Sequence, residues 1–311
     1  EVEGRYPAVT PRVPSASVFE RTIWEMNGII PEGHEYLVPS IYWRKGNGHP
    51  LQKGGYFADG ESKIPIPKNH VSGTGVFEIP VGPVHAGVIE PGHFRFSAAG
   101  EPILGLKVHL GYAHKGIEKL MEGPVGRNLS HLAERISGDN AVAHGLAHAH
   151  AIEGDTDIPD RARYLRSILS ELERIHNHLD IVAGLCTDTA FSVAASYGAE
   201  AREELLRANY ELFGSRMLMG NIVPGGVKKD LSADRIHKLE NAVMRAGFAA
   251  MKLDGYMRRS PSEVDRLDTT GILVTDDALR LGTVGTVARA SGIVSDVRAD
   301  LPYDAYGSLS F

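Results

Sequence analysis

The stretch DRARYLRSILSELERIHNHLDIVAGL, residues 160–185, decides the fold class. Leu165, Ile168, Leu169, Leu172, Ile175, Leu179 and Val182 recur in it every three or four positions, which places them along one side of a helix. Pro159 and Asp160 mark its start, because proline is preorganised for a first turn and an acidic group suits the positive end of the helix. A long amphipathic helix must bury its stripe, and two more helical patterns follow it. One runs through Leu205, Leu206, Leu212, Phe213 and Met217; the other starts near Ser232 and carries Ile236, Leu239, Val243 and Met251 with small residues between. Packing these stripes together predicts a helix bundle.

Upstream the period changes. Leu104, Leu106, Val108 and Leu110 alternate with other residues, and AAGEP (98–102) separates them from HFRF (93–96), the pattern of a β-hairpin. Residues 58–75, ADGESKIPIPKNHVSGTG, lack any period and read as a linker, with a domain boundary near residue 72. Residues 1–57 carry short apolar pieces and a helix expected over ASVFERTIWEMNG, 16–28. The fold class is therefore α+β: residues 1–72 form one part and 73–311 a helix bundle with a small sheet. The last residues, YGSLSF, read as strand-like without a cap, and the chain opens on Glu1; both ends are expected to be cut from a longer protein.

The 311 residues carry a net charge of −6 without a long run of either sign, so no nucleic-acid partner is expected. The single cysteine, Cys186, excludes an internal disulfide and cannot hold an iron–sulfur cluster, which usually takes four thiolates. Any cluster must sit in a partner. No stretch reaches the eighteen or so apolar residues of a membrane helix and no signal peptide is evident, so the chain is read as soluble or peripheral to a membrane.

Four segments concentrate chemistry. HGLAH sets His144 and His148 four apart on one helix face, the ligand spacing of a zinc peptidase, but Gly145 stands where that motif has its glutamate and His150 points away. Two polar residues on an alanine-rich helix is the preferred reading over a zinc hydrolase. GPVHAGVIEPGHFRF (82–96) gathers His85, Glu90 and His93 in a Gly/Pro-shaped loop, where a polar surface turn serves as well as a site. His176 and His178 flank the apolar stripe beside Glu171, Glu173 and Arg174, as a solvated helix flank would. Arg289, Asp296, Arg298, Asp300 and Asp304 lie among strand-like residues in 288–307, either a surface loop or an ion-pair network at a buried interface.

In order along the chain, GPVHAGVIEPGHFRF, LGYAHKGIEKLMEG (110–123), RISGDNAVAHGLAHAHAIE (135–153), ILSELERIHNHLDIVAG (168–184), GGVKKDL (225–231) and RASGIVSDVRADLPYDAYG (289–307) resemble the large subunit of group 4 [NiFe]-hydrogenases and its relative, the 49 kDa subunit of respiratory complex I. FERTIWEMNGIIPEGHE (19–35) and HPLQKGGYF (49–57) resemble the end of the complex I 30 kDa subunit, an α/β domain. Such a fusion is similar to the formate hydrogenlyase and hydrogenase-4 large-subunit type. The resemblance implies a hydrogenase-large-subunit-like bundle in a membrane-associated oxidoreductase complex. Its partners would be an iron–sulfur small subunit holding a [4Fe–4S] cluster and proton- or ion-translocating membrane subunits, with the chain peripheral on the cytoplasmic face of the inner membrane.

Active members of that family hold nickel on two Cys-x-x-Cys pairs, since soft thiolates suit the centre. Here the early pair falls on Ser137 and Asn140, so this chain is expected to bind no cofactor of its own. His93 matches a loop histidine that meets a quinone headgroup, whereas the partner tyrosine falls at Gly138. Arg135 and His178 match residues facing the partner's cluster. By the same resemblance His85, Glu90, His93, Asp139 and His144 line the former active-site cavity as the catalytic candidates, and Arg289, Asp296 and Arg298 close its far side. A catalytically silent scaffold, or an enzyme with altered metal ligands, are the alternatives.

Overall fold

Helix α5 (Asp160–Asp188) runs the full length of the opening stretch and beyond. Its first turn has no side-chain cap; the Pro159 carbonyl instead accepts from the N–H groups of Ala162 and Arg163, with Asp160 at the positive end. The far end closes where Thr189 Oγ1 donates to the carbonyls of Leu185 and Cys186, and α6 (Ser192–Phe213) follows at once. Gly214, in the left-handed region, ends α6, and a Cβ there would meet the Lys229 side chain. Helix α7 (Ala233–Arg259) returns along α6.

This computed structural model describes residues 4–41, 48–52, 71–85, 89–123 and 129–309. The expected linker, 58–75, lies mostly outside the described residues. In chain order the remaining elements are β1 (Arg5–Pro7), α1 (Ser17–Asn27), β2 (Ile30–Glu32), β3 (Val76–Val81), β4 (His93–Ala99), β5 (Ile103–His109), α2 (Ile117–Met121), α3 (Ser130–Ala133) and α4 (Ala141–Glu153). Between α6 and α7 lie β6 (Ile222–Val223) and β7 (Gly226–Val227); α8 (Pro261–Leu267), α9 (Thr275–Arg280), α10 (Gly285–Ala290) and α11 (Val297–Asp300) follow. Compactness groups Glu1–Lys119 with Leu273–Val294, and Leu120–Ile272 with Ser295–Phe311.

The bundle belongs to the second unit. Leu165, Leu169 and Leu172 of α5 pack with Val142 and Leu146 of α4, Leu205, Leu212 and Phe213 of α6, and Leu239 of α7. Further along, Leu179 meets Ala201 and Ala246, so small residues rather than long ones make that part of the α5–α6–α7 contact. Gly198 shows why: a Cβ there would come within 2.8 Å of Ala183 Cβ. For the same reason Met251, expected in the buried stripe of α7, faces outward at 72% exposure, while Ala242, Ala246 and Leu253 face in. Arg166 is fully buried among these apolar groups; its guanidinium pairs with Glu153 at 2.5 and 3.0 Å and donates to the carbonyls of Val223 and Gly226.

In the first unit, α1 joins the parallel pair β1–β2, with Arg5 opposite Ile30. Buried Glu20 accepts from the N–H groups of Val9 and Thr10, and buried Glu25 from those of Ser40 and Ile41, so α1 holds the loops around it. The strands β3, β4 and β5 form an antiparallel meander in which Ile79 faces Phe96 and Phe96 faces Leu106. The expected hairpin is present, with its alternation turned outward: Leu104, Leu106 and Val108 are exposed, and His109 is buried.

The strand-like reading of residues 288–307 is corrected. Arg289 lies in α10 and Arg298 in α11, and Tyr306–Ser308, within the expected C-terminal strand, is a 3₁₀ turn; residues 310–311 are outside the described residues. Local capping explains the helix: the Asp296 carboxylate accepts from the Arg298 N–H, a side-chain cap that strand pairing cannot offer.

Candidate functional site

Within the second unit the site is built around residues 135–140. The stretch Gly138–Asn140 forms a single 3₁₀ turn that feeds α4. Ser137 Oγ accepts from Asn140 Nδ2 at 3.2 Å, and Asn177 of α5 donates to the Asp139 carbonyl at 2.9 Å and to Asn140 Oδ1 at 3.1 Å. The turn is thus tied to α5 by amides and hydroxyls. Arg135 and Asp139 are exposed at its edge, and Arg135 Nη1 lies 3.4 Å from Met219 Sδ.

Behind the turn lies Glu173. Its two carboxylate oxygens accept from the Val142 N–H at 2.7 Å and the Ala143 N–H at 2.9 Å, the free donors at the start of α4. Burial pushes its pKa up to about 7, with Asp139 adding to the rise and the two amides and Arg174 opposing it. One turn along α5, His176 is fully buried, and neither ring nitrogen has a hydrogen-bond partner. Burial, aided by the charge of Arg202, brings its pKa down to about 4.

The expected solvated flank is therefore half right. His178 is exposed, but His176 lies inside, because it continues the heptad-like row Leu165, Leu169, Leu172, His176, Leu179 that α6 covers. That spacing is visible in the sequence and would have found it.

His144 is half-buried one turn into α4. His148 Nε2 is buried without a hydrogen-bond partner, and His150 Nε2 points elsewhere, 3.1 Å from Asp304 Oδ2. Among the described residues no group of three or more His, Cys, Asp or Glu side chains is placed to hold a metal ion.

Asp296 and Arg298 form part of the anticipated ion-pair network. Arg298 grips Asp296 with two hydrogen bonds, at 2.9 and 2.7 Å, and reaches Glu171 on α5 at 3.1 Å. The Tyr306 hydroxyl donates to the same Glu171 oxygen at 2.7 Å. Burial would raise the Glu171 pKa, yet Tyr306, Arg174 and Arg298 outweigh it and hold the carboxylate ionised. Asp304 lies 3.7 Å from Arg166 as well as beside His150, so residues 296–306 are fastened to α5 and α4 at several points. The sequence pointed to Asp296 and Arg298 but not to Glu171 or Tyr306, whose roles depend on a separation of more than a hundred residues.

The first unit carries the other candidates. In the loop before β4, His85 Nε2 donates to the Gly92 carbonyl at 2.5 Å and His93 Nδ1 lies 3.4 Å from the Gly82 carbonyl, so the two histidines close the loop on itself. Residues 86–88 lie outside the described residues, and Glu90 is exposed. His93 meets His109 edge-on with ring centroids 6.3 Å apart; burial first, then His93, Arg95 and Lys107, lower the His109 pKa. Arg289 is exposed at the end of α10. These groups suit proton transfer and polar headgroup binding rather than nucleophilic catalysis.

Comparison with known proteins matches the family "Respiratory-chain NADH dehydrogenase, 49 Kd subunit" over residues 188–311 and "Respiratory-chain NADH dehydrogenase, 30 Kd subunit" over residues 1–58. The chain is 32% identical over 322 residues to formate hydrogenlyase subunit 5 of Escherichia coli (strain K12), covering 98% of this chain and 55% of that protein. It is 32% identical over 318 residues to hydrogenase-4 component G of the same organism, with 98% and 54% covered. The C/D-type NADH-quinone oxidoreductase subunit of Hydrogenobaculum sp. (strain Y04AAS1) is 29% identical over 329 residues, with 94% and 58% covered. The chain thus spans little more than half the length of these curated relatives. One polypeptide thus carries a domain of the 30 kDa subunit family over residues 1–58 and a domain of the 49 kDa subunit family of respiratory-chain NADH dehydrogenase over residues 188–311.

Proposed function

We propose that this chain is the large subunit of an energy-converting, hydrogenase-related oxidoreductase complex that works without nickel. Residues 1–72 supply its 30 kDa-like part and residues 73–311 its 49 kDa-like part. The observation that carries the reading is that Ser137 and Asn140, which by the resemblance fall where the early thiolates would stand, are spent on hydrogen bonds to each other and, through Asn140, to Asn177. Neither is a soft ligand, and Cys186 is buried elsewhere, beside Ala194 and Leu253. These residues do not fit a thiolate-held nickel centre.

In this reading an iron–sulfur partner subunit docks beside Arg135 and His178. A cation and an imidazole near a [4Fe–4S] cluster raise its potential. In the first unit His93, with His85 and Glu90 in its loop, would meet a quinone headgroup, and Arg289 is a further polar candidate there; in the second unit Asp139, His144, Asp296 and Arg298 are the cavity-lining candidates. Among the described residues no helix is long and apolar enough to cross a membrane, which accords with a peripheral position against ion-translocating membrane subunits.

The test is redox titration of the purified complex with quinones, alongside nickel analysis. Quinone reduction without stoichiometric nickel is expected; one nickel per complex overturns the reading, and a complex inert toward every acceptor leaves this chain a scaffold. Replacing His178 by Met should shift the potential of the partner's cluster, and an unchanged EPR titration removes its role.

A further inference from the structure

Glu173, His176, Asn177 and Asp180 stand at positions i, i+3, i+4 and i+7, so they form a polar stripe along one side of α5. It spans about 10 Å at 1.5 Å per residue. One end is the carboxylate held by the first amides of α4, behind residues 137–140. The other end reaches solvent, where Asp180 pairs with Arg202 of α6 at 3.1 Å and its side chain is 39% exposed.

Between them lies His176, with no exposure and no partner at either nitrogen; the Arg202 Nε is also buried without one. An unsatisfied buried polar group costs roughly 1–3 kcal/mol, and a water bridging such groups offsets that cost. Arg174 and Asp139 face Glu173, Arg202 and Asp139 face His176, and Ala246, Ala249 and Ala250 of α7 pack around neighbouring Leu179.

We propose that Glu173, His176 and Asp180 form a proton relay joining the start of α4, behind residues 137–140, to solvent. The O–H bond of the Glu173 carboxyl breaks and its proton passes, through water, to one ring nitrogen of His176. The other ring nitrogen releases its own proton toward the Asp180 carboxylate, so the imidazole ends neutral in its second tautomer and no electron moves. A return passage in the opposite direction, or a ring flip, restores the first tautomer. Near neutral pH the carboxyl holds a proton part of the time and the imidazole is uncharged, the resting form such a relay needs. The relay rests on the reading of residues 135–140 as the wall of a reaction cavity, but its test does not use electron transfer.

Infrared spectroscopy of the full chain in its purified complex reads the relay directly. A protonated-carboxyl band that titrates near pH 7 and vanishes in Glu173→Gln is expected. In His176→Leu the band should persist while its hydrogen–deuterium exchange slows by on the order of tenfold or more. Asp180→Asn should slow exchange to a smaller extent. Should His176→Leu fail to fold, His176→Gln keeps the hydrogen-bonding capacity without two interchangeable nitrogens, and the same slowing is expected. Absence of the Glu173 band, or exchange in a folded His176 variant as fast as in the native chain, overturns the relay. A complex that transfers no electrons, yet shows the band and its slowed exchange, removes the cavity reading and leaves the relay standing.

Discussion

The helix bundle and the three-stranded meander use the same alternation rules with opposite outcomes. In α5 the apolar stripe is buried: Leu169 is 1% exposed and Leu172 2%. In β5 the alternating leucines look outward, with Leu106 at 52%, while Gly105, Lys107 and His109 face in. Apolar periodicity tells which residues share a face; whether the face is covered depends on what the chain packs against it. The bundle supplies its own cover through α4, α6 and α7, and stability should be concentrated there.

The sharpest challenge to this contrast is Arg166, buried in the bundle with Glu153 and Asp304 as counter-ions. Arg166→Met removes the counter-ion of buried Glu153 and leaves Asp304 with His150 alone, and should cost about 3–5 kcal/mol in denaturant unfolding. A near-neutral result would mean that the network is wet and that the bundle is less closed than its apolar packing suggests. Leu169→Ala, in the centre of the main cluster, should cost about 2–5 kcal/mol.

The polar members of the bundle make a pH test. The raised Glu173 pKa means that the folded chain keeps a proton the unfolded chain has lost between 4.5 and about 7. Its contribution to stability is therefore complete below 4.5 and disappears as the pH rises through about 7. His176 works the other way: its lowered pKa gives a contribution present above 6.5 and lost as the pH falls through about 4. Each effect should be on the order of 1–3 kcal/mol. Unfolding curves of Glu173→Gln and His176→Leu against pH should each lose one of these slopes, and a profile unchanged in both variants would show that the two groups are solvated.

The smallest effect is expected in the sheet. Leu106→Ser should change stability by no more than about 0.5 kcal/mol. A loss equal to that of Leu169→Ala would break the comparison, since it would mean that the outward sheet face is already covered within this chain.

The relevant chemistry was unevenly legible. The turn that ties residues 137–140 together left a local signal in SGDN, four consecutive residues whose hydroxyl and amide side chains bond to each other. The ring around Glu171 left none, since Tyr306 and Arg298 reach it from 135 and 127 positions away and no spacing rule connects them. Residues 288–307 carry a strand-like pattern yet form short helices, because caps such as Asp296 on Arg298 outweigh a weak apolar pattern in a short segment.

The sequence by itself determined that α5 exists, where it starts, which residues line its stripe and which family of subunits it belongs with. Periodicity, capping and motif order are properties of neighbouring residues, and they need no partner to act. Only the tertiary structure decided that His176 is interior while His178 is not, that Met251 looks out where alanines look in, and that Glu173 sits on the amides of α4. Burial and long-range pairing are settled by what a second element places against the first, and it is burial that makes a carboxyl and an imidazole on one helix titrate far from their ordinary ranges.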